Sequence, residues 1–194
     1  MGHREQLMIG AKRCLQERGY ARTTSRDIAA AANAPLGTIN YHYGSKEELL
    51  NAALLESLDE WGERITAARS ARPASGAGTA DRLESMWSRI VDSVASDRPL
   101  LVAATESQAQ AERSAEIRQQ IADAQERSRP QLAAALHGLD AEADEETARA
   151  VGSVHMALVA GLTQQWLIDP ERAPSGRELA VGLRAIARSL ESDG

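Results

Sequence analysis

The 194-residue sequence has no phenylalanine, only one cysteine, and 3% aromatic residues in all. A single cysteine excludes an internal disulfide and indicates a reducing compartment. The sequence has neither a signal peptide nor an apolar run long enough to cross a membrane, so we expect a soluble cytoplasmic protein. Runs of β-branched residues are also missing, whereas alanine, leucine, arginine and glutamate dominate. The composition therefore predicts helix almost throughout.

Catalytic and metal-binding motifs are missing as well. The four histidines, at positions 3, 42, 137 and 155, show no metal-ligand spacing with one another or with Cys14. Cys14 lies at helical spacing with Leu7 and Ala11, which is typical of a small core residue. There is no nucleophile elbow, no glycine-rich phosphate loop and no close carboxylate pair on an apolar face. We therefore predict no enzyme activity, no metal and no cofactor.

The stretch from Thr24 to Ser45 predicts two very short helices joined by a tight turn. Thr24 is a suitable N-cap, and Asp27, three residues later, can reach back to the free amides of the first turn. The sequence Asn33-Ala34-Pro35 ends the first helix, because Asn tolerates a left-handed backbone and Pro fits the first turn of the next helix.

The second short helix has an unusual outer face. We expect it to run from about Leu36 to His42 and to bury Leu36 and Ile39, with Tyr43 completing that face. A hydroxyl, a phenol and an imidazole occupy the other face, from Thr38, Tyr41 and His42. A two-turn helix is not stable alone, and Gly37 leaves room for a partner backbone to approach closely. Such a pair of helices suits insertion into the major groove of DNA.

Three segments in and after these helices resemble the signature of the TetR/AcrR family of one-component transcriptional regulators. They are Thr24–Ala29, Gly37–Tyr43 and Ser45–Leu49, and the resemblance covers roughly Leu7 to Leu54. The sequence departs from the usual family residues at four positions. It has Asn where the family usually has Gly, Pro where a capping Ser is common, Asn for a frequent Tyr and Tyr for a frequent Phe, at Asn33, Pro35, Asn40 and Tyr43 respectively.

The resemblance implies a set of DNA-binding residues. Those that match positions touching the DNA backbone or bases are Ser25, Arg26, Tyr41, His42 and Lys46, and those that match positions at the groove floor are Gly37 and Thr38. Their chemistry agrees with these roles, because Arg26 and Asn40 can make bidentate contacts to guanine and adenine edges, and Lys46 can meet phosphate. The alternative for His42 is a helix-end histidine with no partner.

The net charge of −6 is unevenly distributed. Residues 1–50 carry seven Lys or Arg and five Asp or Glu, whereas the remainder carries fifteen and twenty-three. A net charge of +2 on the first part and −8 on the rest fits a DNA-facing domain on an acidic domain that phosphate repels.

We predict an all-α protein of about nine helices. Residues 1–48 form a three-helix helix-turn-helix DNA-binding domain, and residues 49–194 form an effector-binding and dimerisation domain. The first helix runs from His3 to Arg18, and the fourth is capped by Ser45 and ends near residue 69. A loop over residues 70–79 precedes five more helices, at about 80–96, 99–111, 114–137, 142–168 and 175–190. Pro130 should kink or break the third of these.

The last two helices predict a homodimer surface, because they carry more apolar residues than one small bundle needs. These residues are Val151, Leu158, Leu162, Leu167, Leu179, Leu183 and Ile186. The alternative is that the two faces bury each other within one chain. Gly152 and Gly161, with the alanines between them, would permit close helix approach.

The resemblance also implies an effector pocket inside the middle helices of the second domain. The candidate ligand-binding residues are Trp87, Ile90, Val102, Glu106, Ile121, His155, Val159 and Trp166. Glu106 and His155 are polar groups on otherwise apolar helices, and each is also explained as a polar residue with an internal partner.

The sequence thus predicts a ligand-responsive transcriptional regulator, released as a repressor from a palindromic DNA operator by a small molecule. A two-fold dimer would place its two recognition helices about 34–36 Å apart. A helical interaction protein that keeps a degenerate helix-turn-helix and acts through a protein partner is the alternative. A third hypothesis, a small helical enzyme, requires turnover that depends on His155 or Glu106.

Overall fold

The computed structural model describes residues 2–67, 79–140 and 142–192, and within these ranges it contains nine helices and no strand. This confirms the all-α prediction. No helix in the described ranges is both long enough and apolar enough to span a membrane. In chain order the helices are α1 His3–Arg18, α2 Ser25–Ala31, α3 Thr38–Tyr43, α4 Lys46–Ala67, α5 Thr79–Ser96, α6 Arg98–Ala111, α7 Ala115–His137, α8 Glu145–Ile168 and α9 Gly176–Ser192.

The start of α3 differs from the sequence-based expectation. The helix begins at Thr38 rather than at Leu36, because both the amide and the hydroxyl of Thr38 donate to the carbonyl of Pro35 and hold the preceding residues in a turn. Leu36 lies in that turn and is 49% exposed, so the prediction that it is buried was wrong. Ile39 is buried as expected, and Tyr43 is half-buried.

Helix α7 continues through Pro130 over 23 residues, so the break that proline suggested is absent. A glycine- and proline-containing loop was expected at 70–79, and residues 70–78 of it lie outside the described residues. Thr79 belongs to α5. The cap expected at Ser45 is present, since its hydroxyl accepts from the amide of Glu48 at 3.1 Å.

The chain divides into two compact units. The first unit comprises Met1–Gly62 and Asp97–Arg127, and the second comprises Glu63–Ser96 and Ser128–Gly194. The first unit therefore contains α6, part of α7 and α4 as far as Gly62, in addition to the three N-terminal helices. The domain boundary after residue 48 stays a prediction.

In the first unit, α1 packs against α2, α3 and α6. The approach of α1 to α2 is close enough to require glycine, because a Cβ added at Gly10 would lie 2.9 Å from the backbone nitrogen of Ala32. An ion pair joins α1 to α4, with the Lys12 ammonium 2.8 Å from Glu56 and 2.7 Å from Glu60. These contacts fix the frame on which the two short helices sit.

In the second unit, α5 packs against α9 and α8. Backbones meet directly at two glycines, since a Cβ at Gly176 would lie 2.3 Å from the nitrogen of Ser88, and a Cβ at Gly152 would lie 1.8 Å from the carbonyl oxygen of Arg129. Gly152 therefore packs within its own chain, but against α7 and not against α9.

Candidate nucleic-acid interface

Helix α2 begins with a complete capping box. The Thr24 hydroxyl accepts from the amide of Asp27 at 3.2 Å, and the Asp27 carboxylate accepts from the amide and the hydroxyl of Thr24 at 2.9 and 2.6 Å. The hydrogen bond from the Thr24 hydroxyl, and after it the one from the Thr24 amide, lower the pKa of Asp27. The box sets the direction of a helix that is too short to be stable alone.

The turn between α2 and α3 takes its shape from Asn33. Its φ is +48°, the left-handed region in which Asn is better tolerated than most residues. The amide of Asn33 donates to the carbonyl of Ala30, and the amide of Ala34 donates to that of Ala29. Asn at this position therefore makes the same kind of helix end that glycine would make.

The outer face of α3 is polar and exposed. Tyr41 is 84% exposed, and its ring meets the ring of His42 edge-on at 4.8 Å between centroids. Gly37 is exposed, and nothing lies within 4 Å of the position a Cβ would take there. This large aromatic side chain is held in solvent on a two-turn helix and gives nothing to the core, so it is accessible to a partner.

An open cleft of about 530 Å³ lies beside this face. Polar side chains and backbone from α2, α3 and the start of α4 line it, namely Thr24, Ser25, Asn40, Gly44, Ser45, Lys46 and Glu47. Three residues predicted to bind DNA, Ser25, Asn40 and Lys46, thus share one concave surface. Hydroxyl, amide and ammonium groups of this kind suit a phosphate backbone.

Lys46 also has a role inside the fold. Its ammonium donates to the carbonyl of Thr23 at 3.2 Å and lies 3.2 Å from the carboxylate of Glu47. Tyr20 is almost wholly buried, and its hydroxyl donates to the carbonyl of Glu47 at 3.4 Å. Burial, followed by the nearby Glu47 charge, raises the pKa of Tyr20 to about 12.

All eight residues predicted to bind DNA lie in the first unit. Arg26, Gly37, Asn40 and Tyr41 are exposed, and Ser25, Thr38, His42 and Lys46 are half-buried. The Thr38 hydroxyl donates to the carbonyl of Pro35, so it is engaged in the turn as well. Their roles toward DNA stay predictions.

Two supporting contacts were missed by sequence reasoning. Tyr43 donates its hydroxyl to the carbonyl of Arg4 at 3.0 Å, while the Arg4 guanidinium lies 5.5 Å from the centre of the Tyr43 ring. Thr23 is buried, and its hydroxyl donates to the carbonyl of Gly19 at 2.6 Å. The Tyr43 contact joins residues 39 positions apart, so no local pattern marks it. The Thr23 hydroxyl meets a carbonyl only four residues earlier, which is a spacing that the sequence does offer.

The eight residues predicted to bind an effector divide between the two units. Val102, Glu106 and Ile121 belong to the first unit, and Trp87, Ile90, His155, Val159 and Trp166 belong to the second. The Glu106 carboxylate accepts from the amide of Ala21 at 2.9 Å, in the turn before α2. Their roles toward an effector stay predictions.

In the second unit, Trp87 and His155 form a buried aromatic stack. Their ring centroids lie 5.6 Å apart at an interplanar angle of 22°, and the Nε2 atoms of His155 and His137 are 2.6 Å apart. Burial, followed by the charge of His137, lowers the pKa of His155 to about 4, so this imidazole is neutral at pH 7. The indole nitrogen of Trp87 and the Nδ1 of His155 are buried without a hydrogen-bond partner.

The last two helices expose a group of large apolar side chains. They are Val154 and Ile168 on α8, and Val181, Ile186 and Leu190 on α9. Of the seven residues expected at a dimer surface, Ile186 is exposed and the others except Leu162 are half-buried. Leu162 is 2% exposed, so it belongs to the core of its own chain.

A capped short helix, a tight turn and a second short helix with an exposed polar face define a helix-turn-helix protein. Residues 7–53 match the family model described as "Bacterial regulatory proteins, tetR family". Residues 79–191 match that of "BetI-type transcriptional repressor, C-terminal". The chain belongs to the TetR family, which consists of transcriptional regulators.

The curated relatives match about a third of this chain. The HTH-type transcriptional regulator TtgR of Pseudomonas putida is 42% identical over 65 residues, which cover 34% of this chain and 30% of that protein. The HTH-type transcriptional repressor AcnR of Corynebacterium efficiens is 33% identical over 63 residues, covering 32% of this chain and 34% of that protein. The matched part of the chain thus spans about a third of the length of these relatives.

Solved structures extend the likeness to the whole chain. A putative transcriptional regulator from Rhodococcus sp. RHA1 superposes with a TM-score of 0.72 at 20% identity, covering 94% of this chain and 93% of that one. The multidrug binding protein EbrR gives a TM-score of 0.66 at 24% identity, covering 94% and 95%. At these identities the likeness establishes a common fold.

Proposed function

We propose that this protein is a transcriptional repressor that binds a palindromic DNA operator as a homodimer and is released by a small molecule. The exposed polar face of α3, with Tyr41 almost fully in solvent beside the open cleft, is the observation that carries the proposal. Membership of a family of regulators supports it, as does the similarity to AcnR, an HTH-type transcriptional repressor. We place its action in the cytoplasm, where bacterial DNA lies.

The contacts follow from the chemistry of the exposed groups. Tyr41, His42 and Lys46 bind phosphate and so set the position of α3 in the groove. Arg26 and Asn40 read base edges, because a guanidinium pairs with guanine and a carboxamide pairs with adenine in bidentate fashion. Lys46 exchanges part of its present interaction with Glu47 for phosphate when DNA is bound.

The dimer forms through α8 and α9. On α8, the exposed Val154 and Ile168 and the open Gly161 recur at seven-residue intervals, which places them on one face. On α9, the exposed Ile186 and Leu190 follow Gly182, where nothing lies within 4 Å of an added Cβ. Exposed apolar side chains beside bare backbone suit helices that meet closely across a two-fold axis.

Small-molecule release requires an effector that binds one conformation better than the other. We place its site among helices of the second unit, where Trp87 and His155 hold buried polar atoms without partners. Helix α4 contributes residues to both units, so its displacement would change the spacing of the two recognition helices.

The test is a gel-shift titration with duplexes that the purified protein selects from a random DNA library. The proposal is supported if the unaltered protein binds a selected duplex in a salt-dependent way and if Arg26→Ala no longer binds that duplex. The matched control is Arg177→Ala, which removes the same charge from an exposed position on α9. Absence of any selected duplex contradicts the proposal, as does equal weakening by both substitutions.

The interaction-protein alternative makes the opposite prediction for the triple substitution of Tyr41, His42 and Lys46 by alanine. A DNA-binding repressor loses operator binding while remaining a dimer. A protein with a degenerate helix-turn-helix keeps its regulatory activity, since that activity passes through a protein partner.

A further inference from the structure

Helix α6 packs against α1, and one of its acidic side chains also reaches the turn that leads into α2. The Glu106 carboxylate accepts from the backbone amide of Ala21 at 2.9 Å. The same carboxylate lies against Gly19, where an added Cβ would sit 3.2 Å from the Glu106 Oε2. Gly19 has a φ of +80°, which disfavours any side chain there. The carboxylate therefore occupies the space beside a turn that only glycine forms without strain.

Three hydrogen bonds hold the turn that residues 19–24 form. The Glu106 carboxylate accepts from the Ala21 amide. The Thr23 hydroxyl donates to the Gly19 carbonyl at 2.6 Å, and the Lys46 ammonium donates to the Thr23 carbonyl at 3.2 Å. The turn leads directly into Thr24, the N-cap of α2. Because α2 is only seven residues long, the position of its first turn fixes the position of the whole helix.

We propose that Glu106 is a positioning residue that couples α6 to the DNA-contacting end of α2. It acts through the 19–24 turn on Ser25 and Arg26, the first two residues of α2. This inference rests on the proposed function, because those two residues matter only if α2 meets DNA. It gives α6 a direct route to the recognition elements, in addition to the route through α4.

The chain itself links this route to the second unit. Helix α5, which carries the effector candidates Trp87 and Ile90, ends at Ser96, and α6 begins at Arg98 with only Asp97 between them. A displacement along α5 therefore reaches α6 through one intervening residue. Release of the Glu106 hydrogen bond would then leave the Ala21 amide without its carboxylate and loosen the turn that starts α2.

The experiment compares Glu106→Ala with Glu106→Gln, which keeps an acceptor oxygen at the same place. Glu112→Ala is the matched control, because it removes the same charge from an exposed position just past the end of α6. Two quantities are measured without effector: the hydrogen-exchange rates of the Ala21, Asp27 and Ile28 amides by NMR, and affinity for a duplex selected by the unaltered protein.

In Glu106→Ala we expect about tenfold faster exchange at Ala21 and about fivefold weaker DNA binding, the scale of one ordinary hydrogen bond. Glu106→Gln should stay close to the unaltered protein in both. Equal effects in Glu106→Ala and Glu112→Ala overturn the proposal, because charge alone then explains them. Faster exchange with unchanged DNA affinity also overturns it.

If the unaltered protein selects no duplex, the proposed function fails, but the coupling is still tested. Faster exchange at Asp27 and Ile28 in Glu106→Ala would show that the turn positions α2 in the absence of DNA. Their unchanged exchange would show that Glu106 contributes nothing to the position of α2.

Discussion

The two units of this protein differ in the exposed groups through which we propose that they meet their partners. The first unit presents phenol, carboxamide and guanidinium groups of Tyr41, Asn40 and Arg26 to solvent. The second unit presents aliphatic groups, with Ile168 81% and Leu190 72% exposed. A polar exposed face is suited to a hydrated, charged partner such as DNA, and an apolar exposed face is suited to another protein surface.

The two units differ in how closely their function depends on particular residues in the sequence. The helix-turn-helix depends on particular residue types at fixed spacing, and a family model matches it over residues 7–53. The helices of the second unit need only apolar residues at helical period, which many sequences satisfy. For the first unit, the class of partner can therefore be predicted from the sequence. For the second unit, the sequence predicts the fold but not the ligand.

Charging the apolar surface should produce the largest effect. Ile168→Glu combined with Ile186→Glu would bury unpaired carboxylates on both sides of a two-fold interface. We expect a monomer by analytical ultracentrifugation and a loss of operator affinity of about 100-fold, because one half-site is then bound without the other.

The control for this prediction is Gln125→Glu with Gln131→Glu, which adds the same two charges to exposed positions on α7. It should remain dimeric. A dimer that persists in the Ile168 and Ile186 variant would place the subunit interface elsewhere.

Two glycines on α8 distinguish packing within the chain from packing between chains. Gly152→Ala would push a methyl group into the Arg129 carbonyl and should lower the free energy of unfolding by about 3 kcal/mol. Gly161→Ala meets no atom within 4 Å in its own chain and should leave the monomer at least as stable. Its effect should appear in the dimer dissociation constant. Equal destabilisation by both, in urea unfolding, would contradict this assignment.

Acid should weaken the second unit before the first. His155 has a pKa of about 4 in the folded protein and about 6.5 when unfolded, so its contribution is present above pH 6.5 and is lost as pH falls toward 4. We expect the loss to reach about 3 kcal/mol near pH 4, and we expect His155→Gln to abolish it. In the first unit, the pKa of Asp27 is lowered from its usual value of 3.8. The contribution of Asp27 to the free energy of unfolding is therefore lost only at pH values below 3.8.

Urea unfolding between pH 7 and pH 4 measures this difference, with intrinsic tryptophan fluorescence as the probe. His3→Gln is the control, because His3 is exposed at the start of α1. A pH profile that is unchanged by His155→Gln would mean that burial of this imidazole is not what limits acid stability.

Removing the exposed phenol of α3 should have the smallest effect on the whole molecule and a selective effect on DNA. Tyr41→Ala removes no core packing, so the melting temperature should stay within about 2 °C while operator affinity falls about tenfold. Leu36→Ala, which truncates the exposed leucine in the preceding turn, is the matched control. Equal affinity of Tyr41→Ala and the unaltered protein, by fluorescence anisotropy, would remove α3 from the interface.

Most of the helical layout could be predicted from the sequence, because caps and apolar periods are local signals. The bounds of α1, the Thr24 capping box and the Ser45 cap all depend on residues within four positions of each other. The start of α3 was misplaced by two residues, since the Thr38 contacts with the Pro35 carbonyl prolonged the turn.

The remaining contacts could not be predicted, because they join residues far apart in the chain. The Glu106 carboxylate and the Ala21 amide are 85 residues apart, and the Lys12 ammonium meets Glu56 across 44 residues. Glu106 was recognisable as a polar residue on an apolar helix, but its spacing gave no indication of which backbone amide it would meet.

The central claim is that two copies of the exposed α3 face engage one DNA duplex. Sequencing of the duplexes that the purified protein selects from a random library tests it most directly. The account predicts an enriched motif with two-fold symmetry and half-site centres about 10 base pairs, or 34–36 Å, apart or a multiple of that distance. Failure to enrich any motif, or enrichment of a single unrepeated half-site by a dimeric protein, would contradict it.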